Sequence, residues 1–203
     1  MKNFSQACEN NKRPIGAQLQ HHFSNVSSVL EIGSGTGQHA LFFSLNLPRL
    51  IWQASDHPAN LPMLTANLMA YGPPQLPSAI ALDVTAQPWK VAKYDAVFSA
   101  NTLHIMDWSV VEDFFRGLAP VLNSGGLLCV YGPFKYAGNY TSASNADFDN
   151  WLKLRDGRSG IRDFEAVNKL AAAQGLTLIN DTPMPANNRL LLWKCSSPTQ
   201  AEN

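Results

Sequence analysis

The chain is poor in charge, poor in cysteine and without a long apolar run. Of its 203 residues, 15 are Lys or Arg and 15 are Asp or Glu, a formal net charge of zero. A balanced surface offers no general attraction for a polyanion, because nonspecific nucleic-acid binding rests on neutralising phosphates. No apolar stretch reaches the roughly 20 residues that span a bilayer. The segment from Met1 to Cys8 is too polar for a secretory leader. Cys8, Cys129 and Cys195 are odd in number, far apart and without metal-ligand spacing, so neither a disulfide framework nor a metal centre is expected. Cys129 lies in an apolar run and reads as a core residue. Internal repeats are absent. The expectation is one soluble, cytoplasmic α/β domain over residues 1–203, long enough for a large core.

What is present centres on Val29-Leu30-Glu31-Ile32-Gly33-Ser34-Gly35-Thr36-Gly37-Gln38-His39-Ala40. Val29, Leu30 and Ile32 make a short apolar run ended by glycines, as in a parallel strand covered on both faces. Gly33, Gly35 and Gly37 permit positive φ and close approach of a ligand to the backbone. Thr36 is placed to cap a helix beginning near Gly37. A P-loop requires Gly-Lys-Ser/Thr, and here Gly37 is followed by Gln38-His39. A dinucleotide fingerprint requires Gly-x-Gly-x-x-Gly, and here the third glycine comes one position early. The remaining pattern, acidic-x-Gly-x-Gly-x-Gly, resembles motif I of class I methyltransferases that use S-adenosyl-L-methionine (AdoMet). That cofactor has no pyrophosphate but carries an ammonium and a sulfonium, so a carboxylate such as Glu31 beside the loop suits it.

The rest of the chain alternates helix and strand. Pro14 opens a helix to about Phe23, preceded by a polar flap over Cys8 to Arg13, the two making an N-terminal segment 1–25. After a helix over Gln38–Asn46, a strand Leu50–Ser55 delivers Asp56 19 positions beyond Gly37. In dinucleotide folds the ribose carboxylate lies about 20 residues on, because one β-α-β unit brings the second strand's tip beside the first loop. Asp56 therefore either receives ribose hydroxyls or caps the following helix, Leu61–Tyr71. Strand Ala79–Leu82 ends at Asp83, which either accepts from an adenine amine or caps a turn. Strand Tyr94–Ala100 runs into Asn101-Thr102-Leu103-His104, and both Asn101 and His104 should face the crevice beyond the strand ends. His104 is the best-placed titratable residue, or else a packed, hydrogen-bonded one. Helix Trp108–Leu118 and strand Leu127–Tyr131 follow. Residues 134–160 exceed the minimal fold and are read as a lid rich in aromatics, or as a plain surface helix and loop. A helix over Ile161–Gln174, strands Leu176–Ile179 and Leu190–Lys194, and a disordered tail from Ser196 complete the chain.

Taken together, Ile32–His39, Trp52–Asp56, Leu103–Trp108, Tyr131–Phe134, Ser144–Asp149, Gly160–Asp163 and Met184–Asn188 resemble the methyltransferase-like 26 family, also described as domain of unknown function 938. The family tends to an Arg-Asn pair near its N-terminus; here those positions are Asn10-Asn11, and Arg13 is the available substitute. The resemblance implies a Rossmann-like class I methyltransferase sandwich. Its sheet would have seven mostly parallel strands with an antiparallel last strand, and helices on both faces. It implies AdoMet as cofactor and S-adenosylhomocysteine as product. Glu31, Gly33, Ser34, Gly35, Thr36 and Gly37 would hold the methionine part, Asp56 the ribose and Asp83 the adenine, with His57, Val84 and Asn101 also among the cofactor-binding residues. His104 and Asn101 would act on the acceptor, lined by Tyr131, Tyr136, Arg162, Asn187 and Asn188. The expected acceptor is a small molecule or an exposed protein group, not nucleic acid or membrane. Two rival readings are a nicotinamide-dependent oxidoreductase, disfavoured by the early third glycine and Glu31, and a non-catalytic binding protein on the AdoMet fold.

Overall fold

In the computed structural model, which describes Met1 and residues 3–196, the apolar run before the glycine loop is a strand, β1 (Ser28–Ile32), buried in four of its five residues. It lies between two parallel neighbours, β2 (Ile51–Asp56) and β4 (Tyr94–Ala100). Beyond β2 comes the short β3 (Ile80–Ala81), and beyond β4 come β5 (Leu122–Gly132), β10 (Asn188–Cys195) and β9 (Leu176–Met184). The order is thus β3-β2-β1-β4-β5-β10-β9, with β10 antiparallel to both neighbours. The chain winds outward from β1 in one direction and resumes at β4 in the other, so the switch point lies at the ends of β1 and β4.

Period-two alternation divides the strands between two cores. Leu30, Ile32, Val97, Leu128, Val130, Leu191 and Trp193 face one, with Phe114, Phe115 and Val167 from α4 (Trp108–Arg116) and α7 (Phe164–Ala173). Val29, Trp52, Ala54, Phe98, Cys129, Leu190 and Leu192 face the other. There they meet α1 (Gln6–His22), α2 (Gln38–Asn46) and α3 (Leu61–Tyr71). This is the two-faced sandwich expected from the apolar runs.

Local boundaries differ from expectation where a tertiary neighbour intervenes. The first helix begins eight residues before Pro14, so Cys8–Arg13 is helical rather than a flap. Ser5 caps it by accepting the Cys8 N–H, and the cap is pinned to α2: Ser5 N–H donates to Gln38 Oε1 at 2.6 Å while Gln38 Nε2 donates to Ser5 O at 3.2 Å. Those bonds, with burial of Ile15 and Leu19, offset the donor that Pro14 lacks inside the helix. Thr36 is not the cap of α2; Gly37 is, at φ +82 with no side-chain bond. The helix expected over 108–118 stops at Arg116, and a separate turn, α5 (Leu118–Val121), follows. Between them the Trp89 indole lies against Gly117 so closely that a Cβ there would fall 2.2 Å from it.

The extra segment 134–160 is built rather than loose. β6 (Phe134–Tyr136) pairs with β7 (Asn139–Tyr140) and, in parallel, with β8 (Arg162–Asp163), a second three-stranded sheet too short to leave a periodic signal. Helix α6 (Ala143–Arg155) is capped by Ser142, whose hydroxyl accepts from Asn145 N. The fully buried Asp149 ties these pieces together: it accepts from Tyr140 Oη at 2.6 Å, Ile161 N at 2.5 Å and Lys153 Nζ at 2.5 Å. The tail expected to be disordered falls, after Ser196, outside the described residues.

Candidate active site

The glycine loop turns at the tip of β1 because its first two amides, Gly33 N and Ser34 N, donate to Ser55 O of β2 at 3.1 and 3.0 Å. Its glycines serve different needs. A Cβ on Gly33 would strike Thr102 Cγ2 at 2.5 Å, and one on Gly37 would strike Leu68 Cδ2 at 2.7 Å. Gly35 has φ +57 and nothing within 4 Å of its Cβ position, so it needs glycine for its backbone while leaving open space beside it.

Asp56, at the tip of β2, reaches over this loop. Its Oδ2 accepts from Gly35 N at 2.6 Å, and its Oδ1 accepts from His57 N at 2.7 Å and Asn60 Nδ2 at 2.8 Å. It therefore braces the loop and does not cap α3, whose N-cap is Asn60. Asp83 lies beyond the end of β3, in a turn where its Oδ1 accepts from the Thr85 amide and hydroxyl, which hold its carboxyl below the usual range. The exposed His57 ring approaches its other oxygen at 3.7 Å. A cavity of about 450 Å³ opens beside it, lined by Asp83, Gln87, Trp89 and Val91. Val84 is buried and its carbonyl accepts the Trp89 indole N–H.

Glu31 is only 1% exposed. Its Oε2 accepts from Trp52 Nε1 at 2.9 Å, and burial pushes its titration up to about 7. It lies beneath the loop on the α1–α2 face, alongside Ser34, rather than in the open crevice. From β4, Asn101 leaves the strand at φ +59 with its N–H on Tyr131 O, joining the tips of β4 and β5. Ser99 Oγ donates to Ile32 O, tying the same tip to β1. His104 is buried, its ring edge-on to Phe148 of α6 at 5.4 Å. Burial and the nearby Arg162 push its titration down to about 4, so the imidazole is neutral at pH 7.

The expected acceptor lining divides. Tyr131 is buried at the end of β5, with its hydroxyl in polar interaction with Asn11 and Asn188; burial raises it to about 12. Asn188 Nδ2 donates to Pro185 O, and Asn187 O receives Asn145 Nδ2 of α6, so this turn meets α6. Arg162 does not offer a free guanidinium: it donates to Leu103 O, Met106 O and Arg158 O, bracing the His104 loop. Tyr136 is likewise used elsewhere, its hydroxyl on Asp181 at 2.8 Å and its ring stacked on Phe164. Asn11, read from sequence only as half of the Asn10-Asn11 pair, and His39, read only as the end of the glycine-loop motif, have no site role on that reading; both are buried beside Glu31, with Asn11 Oδ1 2.7 Å from His39 Nε2. Both lie on otherwise apolar helix faces, which is the signal that could have marked them. Among the described residues no group of three or more His, Cys, Asp or Glu could hold a metal ion, and no helix is long and apolar enough to cross a membrane.

A parallel sheet with a switch point at a glycine loop, carboxylates at the tips of β1 and β2, and one antiparallel strand beside β5 is the Rossmann-like methyltransferase fold. Solved structures agree. An O-methyltransferase family protein from Burkholderia thailandensis superposes with TM-score 0.81 at 17% identity, over 94% of this chain and 58% of that one. The S-adenosylmethionine-dependent methyltransferase SibL, in its apo form, gives 0.78 at 20%, over 93% and 55%. Human N-acetylserotonin methyltransferase in complex with SAM gives 0.79 at 13%, over 95% and 53%. At these identities the likeness shows the fold, and the chain spans little more than half the length of the proteins it matches. Over residues 2–195 it matches the family described as "Protein of unknown function (DUF938)", and it belongs to that family.

Proposed function

We propose that this chain is an AdoMet-dependent methyltransferase acting on a small molecule or an exposed protein group. The observation that carries the reading is Asp56: a buried carboxylate at the tip of the second strand, braced over a glycine loop whose central residue leaves open space. The donor set fits the cofactor. A carboxylate has about four acceptor positions. Asp56 uses three of them, leaving Oδ2 with room for a ribose hydroxyl. Glu31 supplies negative charge under the loop once ionised, which suits an ammonium and a sulfonium. The loop carries no lysine to demand a phosphate. His57, Asp83 and Val84 stand at the neighbouring strand tip, where an adenine would lie.

Bound there, the cofactor supplies a methyl group on a sulfonium leaving group. The protein's part is position and exclusion of water, worth up to roughly 7–11 kcal/mol when reactants are held in line. Asn101, joined to Tyr131 across the strand tips, shapes the crevice floor. His104, neutral and under Phe148, orients an acceptor oxygen or nitrogen by a hydrogen bond. Asn187 and Asn188 line the same side; Arg162 acts through the His104 loop, and Tyr136 stands outside the site. Balanced surface charge supports an acceptor other than nucleic acid, and three free cysteines support a cytoplasmic location. The motif order supports kinship with the methyltransferase-like 26 family.

A second reading, a binding protein that keeps the fold without turnover, is favoured by one feature: Asp56 and Glu31 both already have partners within the protein. Calorimetric titration of AdoMet and S-adenosylhomocysteine into the wild type and Asp56→Ala separates the readings, together with labelled-methyl transfer to a cell extract. Micromolar binding lost in the variant, with label transferred, supports the enzyme. Binding without transfer supports the second reading, and no binding to folded protein sinks both.

A further inference from the structure

The inner face of α1 changes character along its length. Ile15 and Leu19 are buried against the sheet, but one turn earlier the same face presents Asn11, 6% exposed. The helix cannot easily withdraw it, because Ser5 and Gln38 join the start of α1 to the start of α2 by two reciprocal bonds. Asn11 Oδ1 lies 2.7 Å from His39 Nε2. The His39 ring is held flat against Phe43 at 5.5 Å and edge-on to Phe98 at 5.9 Å. Its other nitrogen, Nδ1, is 3.9 Å from Glu31 Oε1.

The directions of these contacts follow from their chemistry. An amide oxygen only accepts, so Nε2 of His39 carries the hydrogen. Burial keeps the ring neutral, with its titration pushed down to about 4, so Nδ1 carries a bare lone pair toward Glu31. The Glu31 carboxyl meets Trp52 and Ser34 on its other sides, and it is the Ser34 contact that joins it to the glycine loop. Lys12 is the charged group near His39, and Asp56 and the Cys8 thiol are those near Glu31.

We propose that Asn11 is a positioning residue that fixes His39 as its Nε2–H tautomer, so that Glu31 stays turned to Ser34 and the glycine loop for AdoMet. The cofactor half of this rests on the function proposed above. Without an acceptor at position 11 the buried Nε2–H has no partner, a costly state. The proton then moves to Nδ1, which draws the carboxyl toward His39 and away from Ser34.

The test uses the full chain without ligand. Long-range nitrogen–proton NMR spectra report which nitrogen of His39 carries hydrogen, and calorimetry reports AdoMet affinity. Wild type and Asn11→Asp, which keeps an acceptor oxygen, are expected to hold hydrogen on Nε2. Asn11→Ala is expected to move it to Nδ1 and to weaken AdoMet binding roughly tenfold, within the range for residues acting through a neighbour. Hydrogen on Nδ1 alone in folded wild type or in Asn11→Asp overturns the proposal, the latter even where Asn11→Ala fails to fold. An unchanged tautomer or unchanged affinity in Asn11→Ala also overturns it. Wild type that takes up no AdoMet overturns the cofactor half together with the function above, while the ligand-free spectra still judge what Asn11 does to His39.

Discussion

Replacing Glu31 with Gln should stabilise the protein at high pH and not at low pH. In the folded chain the carboxyl titrates near 7 instead of 4.5, chiefly because burial penalises its charge, and Trp52 and Ser34 only partly offset that. Between those two values the folded state keeps a proton that the unfolded state has released. Stability therefore falls as pH rises through this window and levels off above 7. At about 1.4 kcal/mol per tenfold, the full loss is about 3 kcal/mol. Glutamine does not titrate, and its amide oxygen can still take the Trp52 indole hydrogen while its nitrogen donates toward Ser34 or His39 Nδ1. Urea unfolding at pH 5 and pH 8 provides the comparison. The variant should lead by under about 1 kcal/mol at pH 5 and by about 3 kcal/mol at pH 8, because the two His39 contributions cancel in the difference. For a chain of this size that corresponds to roughly 6–12 °C in Tm at pH 8. AdoMet affinity should fall in the same variant, since the ligand's cationic groups lose their counter-charge. A gap independent of pH, or a variant less stable than wild type at pH 8, would refute the reasoning that burial of an ionisable carboxyl costs stability here.

His39 and His104 each titrate near 4 rather than 6.5, so each contributes stability that is lost as pH falls from 6.5 toward 4. His104→Gln should flatten the acid limb of the stability curve by up to about 3 kcal/mol; an unchanged slope rejects the burial argument for this ring. Asp149→Ala removes the acceptor shared by Tyr140, Lys153 and the Ile161 amide, and should cost about 3 kcal/mol in urea unfolding. A loss under about 1 kcal/mol would mean that segment 134–160 does not depend on it. Gly117→Ala drives a methyl into the Trp89 indole and should cost about 1–3 kcal/mol, read as a lower thermal midpoint and altered tryptophan fluorescence. Unchanged fluorescence would show that the indole is not packed there.

Much of the frame was legible because it depends on local chemistry. Apolar runs in Val29–Ile32, Val97–Phe98 and Leu190–Trp193 mark strands buried on both faces, and successive residues of those runs do face the two cores. The glycine loop announces the switch point, since only glycine serves at Gly33, Gly35 and Gly37 for reasons of φ or space. Boundaries set by distant partners were not legible. Pro14 reads as a helix start until Gln38 is seen holding Ser5, and Gly117 reads as mid-helix until Trp89 is seen against it. The second sheet has strands of two or three residues, too few for any period to register.

The site divides along the same line. The sequence by itself determined which residues occupy the strand tips: Glu31, Asp56, Asn101 and Tyr131 follow from strand length and β-α-β spacing, which are properties of a contiguous segment. Only the tertiary structure decided how their atoms are used. It set Glu31 beneath the loop instead of in the crevice. It spent Arg162 on three backbone carbonyls and Tyr136 on Asp181. It also brought Asn11 from the first helix to His39. The physical reason is that a polar side chain's role depends on which buried donor or acceptor it meets, and such meetings join residues dozens of positions apart that no local pattern relates.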